Sequence, residues 1–563
     1  MASFGVNRNR ARSRLVACLA VALLMPIALA PTVASTDRAP IAESEITKTG
    51  ILDVVYVDDF SRQRAEKHHV LLDEARGYTR LDFQFDPNLT AGTEIEVHGL
   101  ERDGVLEPFD YSVIASPRAA AGRNVNLGEQ RTVVLLVNSF ENPVEPVTEL
   151  EIWNRVFSVN NPYSVTNYFT EVSYEKTWLA GHVFGWYTLP LTEDTLCNDW
   201  YATRDAAIAA ADPDVYYPDY TRLMILFPAA GCGWGGAGNS ALVWLPTDDG
   251  DVQMSWSLYN SVEQFGGTPS YGGSAYHELG HNFGCGHAND WECGTSIIGG
   301  NCESINYGNH FDAMGLAGAK GHFDAIHKGI AGWFDPSHVL ETSAPGRYLI
   351  EPIETNTTGL KLLRIPTVTY KYHVEYRRPI GFDAHLLDFY ETDHDGAVVS
   401  MDLHHNNGDS QLLDMTPHDA TAGIPQFWDS LFSVLNETRR YRDVIFDITF
   451  ATLSATEEHL IVCIPEAGCN PTPSAFPLTV LAEGPDTLIW GSPEDVRFVR
   501  GDLVAVRTYG YFDSGDLIQQ DQLDISADSP DAGDGTWYLL RPSCCGLWQT
   551  SVGAEPRREA ALP

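Results

Sequence analysis

The chain has 563 residues, 36 of them Lys or Arg and 76 Asp or Glu, for a formal net charge of −40. Hydrophobic residues make up 44% and charged residues 20%, a mix that builds cores and is too apolar for a disordered acidic tail. Such acidity argues against a nucleic-acid or anionic-membrane partner, because both repel it, and at about 150 residues per domain the length allows three or four domains.

Residues 1–35 read as a secretory signal peptide. Arg8, Arg10, Arg12 and Arg14 form its basic region, residues 15–29 its apolar run, and Ala34 and Ser35 offer small residues for cleavage. No later stretch is long and apolar enough to span a bilayer, so the chain is expected to be secreted, with the periplasm or cell surface as its other destinations. Secretion permits disulfides. Of ten cysteines, Cys18 leaves with the signal and nine remain, an odd number that leaves one thiol over. Cys463 and Cys469 close a short loop and form the expected pair. Cys197, Cys232, Cys285, Cys293 and Cys302 crowd one region and are expected to pair partly among themselves. Cys544 and Cys545 are adjacent and poorly placed to bridge each other.

Residues 36–120 show the period-2 alternation of strands in GILDVVYVDDF, GYTRLDFQF and TEIEVHGLE, as in a small β-barrel or sandwich. Residues 121–131 read as a linker. From residue 132 the pattern becomes α/β. TVVLLVNSF and RLMILFP are continuous apolar runs of buried strands, and TWLAGHVFGWYTL is a third strand. VTELEIWNRVF, PYSVTNYFTEVSY and the Ala-rich ATRDAAIAAADPD have helical spacing, the last stopped at Asp212-Pro213. Residues 336–469 return to strands, as in a β-sandwich, with RYLIEPI, KLLRIP, YKYHVEYRRPI, GAVVSMDL and HLIVCI. Residues 470–477 form a Pro-rich linker, and 478–563 a further β module of fibronectin type III kind.

The chemistry lies at residues 277–287, HELGHNFGCGH. His277 and His281 are four apart and share one face of a helix. Gly284 can take the conformation that ends the helix and turns the chain, which brings His287 back as a third ligand. Three neutral imidazoles with one position left open describe a catalytic zinc site. Glu278, beside the first ligand, is placed as general base for a water at that open position. Cys285 lies between ligands and reads as a disulfide partner or a small apolar group. The surrounding His182, His322 and His327 read as satisfied structural histidines, and the pairs His68-His69 and His404-His405 as surface residues.

The motif resembles that of the metzincin zinc peptidases, HExxHxxGxxH followed by a turn whose Met lies beneath the metal. FDAMG supplies Met314 in that position. Many metzincins carry a Tyr two residues after this Met, whereas this chain has Leu316. Within the superfamily, residues 130–465 most resemble the gametolysin-like peptidases and related secreted bacterial metallopeptidases. The likeness rests on VVLLVNSFENPVEP, YFTEVSYEKTWLAGHVFGWYTLP, HVEYRRPIGFD and QLLDMTP besides the metal motif. It implies an α+β multidomain protein, with a metzincin-like zinc peptidase domain over residues 132–335 flanked by β-rich modules. It also implies an edge strand that binds substrate by strand addition, for which Ser240, Ala241, Leu242, Val243 and Trp244 are the candidates. The Gly-rich run GCGWGGAGN before it reads as a mobile rim.

The resulting expectation is a secreted zinc endopeptidase acting on extracellular protein or glycoprotein, with one catalytic Zn²⁺. The alternative is an inactive binding or adhesion protein on the same fold. Acidic turns at residues 248–251 and 393–396 offer carboxylates of the kind Ca²⁺ takes, but such turns usually face solvent. No Cys precedes Cys197 in the mature chain, so a pro-region could silence the metal only by filling the cleft or through a carboxylate.

Overall fold

A computed structural model of the chain describes residues 44–465, apart from 74–76, 117–124, 268–272, 295, 300–301, 316–320, 388–394, 404–407, 418–432, 438–439 and 444. Beyond residue 465 it describes mainly strand backbones between residues 480 and 554. The signal peptide, Cys469, Cys544, Cys545, Leu316, His404 and His405 lie outside the described residues.

The first strands are β1 (Ser44–Asp59), β2 (Arg64–Leu72), β3 (Tyr78–Leu81), β4 (Glu94–Arg102) and β5 (Val105–Ala115). The α/β segment follows with β6 (Gly128–Ser139), α1 (Glu149–Val156), α2 (Val165–Val172), β7 (Thr177–Leu189), α3 (Glu193–Asn198), α4 (Trp200–Ala211) and β8 (Arg222–Phe227). It closes with β9 (Gly236–Asn239), β10 (Val243–Thr247), β11 (Gly250–Asn260) and α5 (Gly273–Asn282). Each helix expected here forms, with polar caps where backbone N–H groups would otherwise be orphaned. Thr148 and Glu151 make a capping box on α1, Ser164 caps α2 and Asp199 caps α4.

β6, β7, β8 and β11 run parallel, and β9 pairs antiparallel with β11. Alternation along β6 sends Val134 and Leu136 to one face, against Ile152, Tyr168, Phe169 and Leu279. It sends Val133, Leu135 and Val137 to the other, against Ala207, Ile208 and Ala211 of α4. Helices thus cover both faces, which is why these strands read as unbroken apolar runs.

Two expected boundaries do not separate domains. Residues 36–120 are not a free-standing barrel: β1 pairs antiparallel with β9 (Val57 opposite Ala237), so the first five strands and the α/β strands share one 11-stranded sheet. The expected linker at 121–131 already contains the start of β6 at Gly128.

A second merger follows α5. β12 (Ala288–Glu292) and β13 (Glu303–Ile305) precede α6 (Ala325–Ala331). After them come β14 (Val339–Glu341), β15 (Gly346–Ile350), β16 (Leu362–Pro366), β17 (Tyr370–Tyr376), β18 (Gly396–Leu403) and β19 (Ser410–Leu413). The last of this group are β20 (Leu435–Asn436), β21 (Arg440–Asp443), β22 (Ile448–Ala455) and β23 (Leu460–Ile464). β12 lies parallel to β19, with Ala288 opposite Ser410, so the residues after α5 complete the sheet of the next segment. A facing four-stranded sheet, β15-β23-β22-β21, supplies the other half of a shared core containing Tyr372, Val374, Val399, Phe450 and Val462. The two sheets form a β-sandwich that takes in β12 and β13, ahead of the expected boundary at residue 336. Past residue 479 the backbone forms one three-stranded and one five-stranded sheet.

Disulfides join Cys197 to Cys232 and Cys293 to Cys302, while Cys285 is free and buried. Cys463 is disulfide-bonded, and its expected partner Cys469 lies outside the described residues. The Cys197–Cys232 bridge ties α3 to the loop entering β9 across a separation of 35 residues. Replacing both cysteines with Ala is expected to cost about 3 kcal/mol of unfolding free energy, measured as a lower urea midpoint.

Candidate metal centre

Helix α5 carries His277 and His281 one turn apart, both buried. Its end is set by Gly284, whose φ of +95° no side chain adopts comfortably. Gly284 N–H bonds the His281 carbonyl at 2.8 Å, and Cys285 N–H bonds that of Gly280 at 3.0 Å. The turn then docks on the second sheet's connecting loop: Gly286 N–H donates to Gly408 O, and His287 N–H to Asp409 Oδ1 at 2.7 Å. Ala288 N–H donates to Met314 O at 3.0 Å. The third histidine is therefore placed by a loop more than 120 residues away as well as by the local turn.

Two rings have their tautomer set by carbonyl groups, which only accept. His277 Nδ1 lies 3.0 Å from Ala313 O, and His281 Nδ1 lies 2.9 Å from Cys285 O. Each Nδ1 carries its hydrogen, and each Nε2 turns inward. At the convergence point stands Asp58, at the end of β1 and wholly buried. Its Oδ1 is 2.8 Å from His287 Nε2, and its Oδ2 is 3.2 Å from His281 Nε2 and 3.6 Å from His277 Nε2. These four side chains form a group that could hold a metal ion.

The charges favour a cation there. Burial would raise the Asp58 carboxyl, but His287 and His277, with hydrogen bonds from His281 and His287, hold it well below the ordinary carboxylate range. Burial pushes His277 down to about 3 and also lowers His281. His277 Nε2 makes no hydrogen bond. Three ring nitrogens gathered around an ionised carboxylate are the donor chemistry that holds a cation.

Glu278 is also wholly buried, and neither carboxylate oxygen has a hydrogen-bond partner. Burial, and then the charge of Asp58, raises its pKa well above the usual carboxylate value. It lies against β9, where a Cβ at Gly236 would overlap its carboxylate and one at Gly238 would crowd it. The Gly-rich run is therefore not a mobile rim at this point. Gly236–Asn239 is a buried strand whose glycines make room for Glu278.

The residues expected as the substrate edge lie past that strand. β9, not residues 240–244, runs beside the metal helix, and β1 occupies its outer side. Ser240, Ala241 and Leu242 form the turn out of β9, while Val243 and Trp244 belong to β10, which pairs only with β11. Trp244 is 60% exposed.

Met314 packs against the helix at Gly280. It is fully buried, and a Cβ at Gly280 would overlap its sulfur. The turn that carries it is held by Asp312, which accepts from Met314 N–H and Asp324 N–H. Asp312, Asp324 and His327 form a second group with metal-ligand chemistry, but both His327 nitrogens are engaged. Nδ1 is 2.7 Å from Asp312 Oδ2, and Nε2 is 2.8 Å from Gly408 O. Burial works against the imidazolium, yet Asp312 and Asp324 raise its pKa to about 10. This is an ion triad that fixes the Met314 turn to the loop behind His287.

His182 bonds the Tyr220 hydroxyl, and His322 sits between Glu171 and Lys328, both structural as read. His68 and His69 are not surface residues. They are 5% and 7% exposed, His68 against Trp200 and His69 against Phe83, because both faces of β2 are covered. The turn at residues 248–251 closes the β10–β11 hairpin, where Asp249 accepts from Tyr217 N–H.

Three residues at the site were not singled out from sequence: Asp58, Tyr56 and Tyr307. Tyr56 stacks on His281 at 4.1 Å, and Tyr307 is wholly buried and bonds Asp58 Oδ1 through its hydroxyl. Tyr307 has a φ of +58°, an uncommon conformation for a bulky residue. No family model matches the chain, and no curated protein matches it significantly.

The His327 triad has a pH signature. Its pKa is about 6.5 when unfolded and about 10 when folded, so its contribution is full below about pH 6.5 and is lost as pH rises through 10. His327→Gln is expected to cost about 3–5 kcal/mol at pH 6 by leaving two carboxylates without their cation. The gap to wild type in urea unfolding is expected to narrow toward pH 10. A gap independent of pH would contradict an imidazolium at this position.

Proposed function

We propose that the chain is a secreted zinc endopeptidase. One observation carries this reading: three buried imidazole nitrogens converge beside a buried glutamate that has no hydrogen-bond partner. Nitrogen donors with a carboxylate suit Zn²⁺, whereas Ca²⁺ and Mg²⁺ take oxygen ligands. His277, His281 and His287 would hold the ion, which when bound supplies Lewis acidity and a lowered pKa for water. The first histidines' carbonyl bonds and the sulfur of Met314 beneath Gly280 keep the set in place.

Glu278 takes the proton of the attacking water as it adds to the peptide carbonyl, and returns it to the leaving amine. The products are a carboxylic acid and an amine, so atoms and charge balance. Its burial makes it a stronger base than a surface carboxylate. Tyr307 donates a hydrogen bond to the point now taken by Asp58 Oδ1, and the same donor would serve the carbonyl oxygen as negative charge develops there. This supplies the hydroxyl donor that Leu316 does not. An extended substrate would lie along β9, with backbone bonds like those β1 makes, Gly235 N–H to Asp58 O at 2.8 Å and Ser240 N–H to Val54 O at 2.9 Å. The disulfides, Cys197–Cys232 and Cys293–Cys302 among them, support an oxidising, extracellular location. No helix of the described residues is long and apolar enough to cross a membrane.

The alternative, a binding or adhesion protein on this fold, has no use for Glu278. Because Asp58 stands in the cluster and β1 lies along β9, the comparison is made between Val57→Asp/Asp58→Ala and the same variant carrying Glu278→Gln. Both are expected to hold one zinc per chain, with hydrolysis of an unfolded protein substrate falling on the order of 10²–10⁴-fold in the variant carrying Glu278→Gln. Equal rates would favour the binding protein. Tyr307→Phe on the Val57→Asp/Asp58→Ala background is expected to lower kcat about 100-fold with little change in KM.

A further inference from the structure

Asp58 does more than neighbour the ligands. With three imidazole nitrogens and one carboxylate oxygen, the donor set of a tetrahedral ion is complete, and no position remains for water. The strand that delivers Asp58 also fills the substrate edge: Val55, Tyr56, Val57 and Asp58 pair antiparallel with Asn239, Gly238, Ala237 and Gly236. Flanking aromatic rings seal the site. Tyr56 lies flat on His281, and Phe60 meets His277 edge-on at 5.0 Å.

The first five strands are built to carry this strand. β1 is bonded along its length to β4 and β2. Leu52, Val54 and Tyr56 pack into a small core with Leu71, Ile95, Val97 and Leu106, separate from the two cores that flank β6. On the other side, Val55 and Val57 join Ala237 and Leu258 in the α/β core. One face of β1 packs within residues 44–115 and, at Tyr56 and Asp58, meets the three histidines; the other packs into the α/β core beside β9.

We propose that Asp58 is the fourth metal ligand and that β1 is a built-in substrate mimic, so that residues 44–115 hold the peptidase latent until they are lifted from β9. This rests on the zinc-peptidase reading and names its regulation. The chain has no cysteine between Cys18 and Cys197, so Asp58 is the metal-binding side chain this segment brings to the histidines.

The test uses the full chain loaded with Co²⁺, whose visible absorption reports its ligands, and titrates in acetohydroxamate, a small metal chelator. The wild-type spectrum is expected to stay unchanged at millimolar acetohydroxamate, and that of Asp58→Ala to shift. Asp58→Asn, which keeps the side chain's shape, provides the same readout should the alanine variant not fold. The zinc form of Val57→Asp/Asp58→Ala, in which a charge set beside Ala237 and Leu258 also loosens β1 from β9, is expected to hydrolyse an unfolded protein substrate at least 10-fold faster than wild type. Equal shifts and equal rates in wild type and variant would overturn the latch while leaving the peptidase reading intact. An opened site that cleaves nothing would overturn the peptidase reading, and latency with it.

Discussion

A carboxylate with no exposed surface faces three imidazole nitrogens at 2.8 to 3.6 Å, and much of this molecule follows from that contact. Removing four polar groups from water is costly unless charge and hydrogen bonding are satisfied together. The carbonyl partners of His277 and His281 fix which nitrogen turns inward. Asp58 supplies the negative charge, and a cation among them would complete the set. To put Asp58 there, β1 must run into the cleft and pair with β9, which fuses the first five strands to the α/β sheet.

The same point explains features that look unrelated along the chain. Gly236 and Gly238 are glycine because Glu278 lies against their backbone, and Gly280 because the Met314 sulfur occupies the space of its Cβ. The His327 triad holds the Met314 turn to the loop carrying Gly408 and Asp409, and Asp409 in turn holds the backbone of His287. Here the second sheet is a structural partner of the metal helix, not an appended module. Its strand β19 pairs directly with β12, which leaves the site.

What could be read from the sequence was what is local. The spacing of His277, Glu278, His281, Gly284 and His287 lies within three helical turns and a bend, so periodicity and one glycine sufficed. Strands buried on both faces announced themselves as apolar runs, and the capped helices by their spacing. Asp58 could not be read, since it meets its partners across 223 and 229 residues and is one acidic residue among 76. The lack of an early cysteine pointed to a carboxylate or a blocked cleft, without saying which residue. The glycines of β9 suggested mobility because their reason, a buried glutamate, comes from another element. The same distance hid the pairing of β1 with β9 and of β12 with β19, both of which cross the boundaries that composition suggested.

The most direct test is anomalous diffraction at the zinc edge from crystals of the zinc-loaded full chain. A single peak is expected, enclosed by the Nε2 atoms of His277, His281 and His287 and the carboxylate of Asp58. No peak there, or a peak at Asp312, Asp324 and His327 instead, would contradict the central claim that these three histidines and Asp58 form a closed metal site.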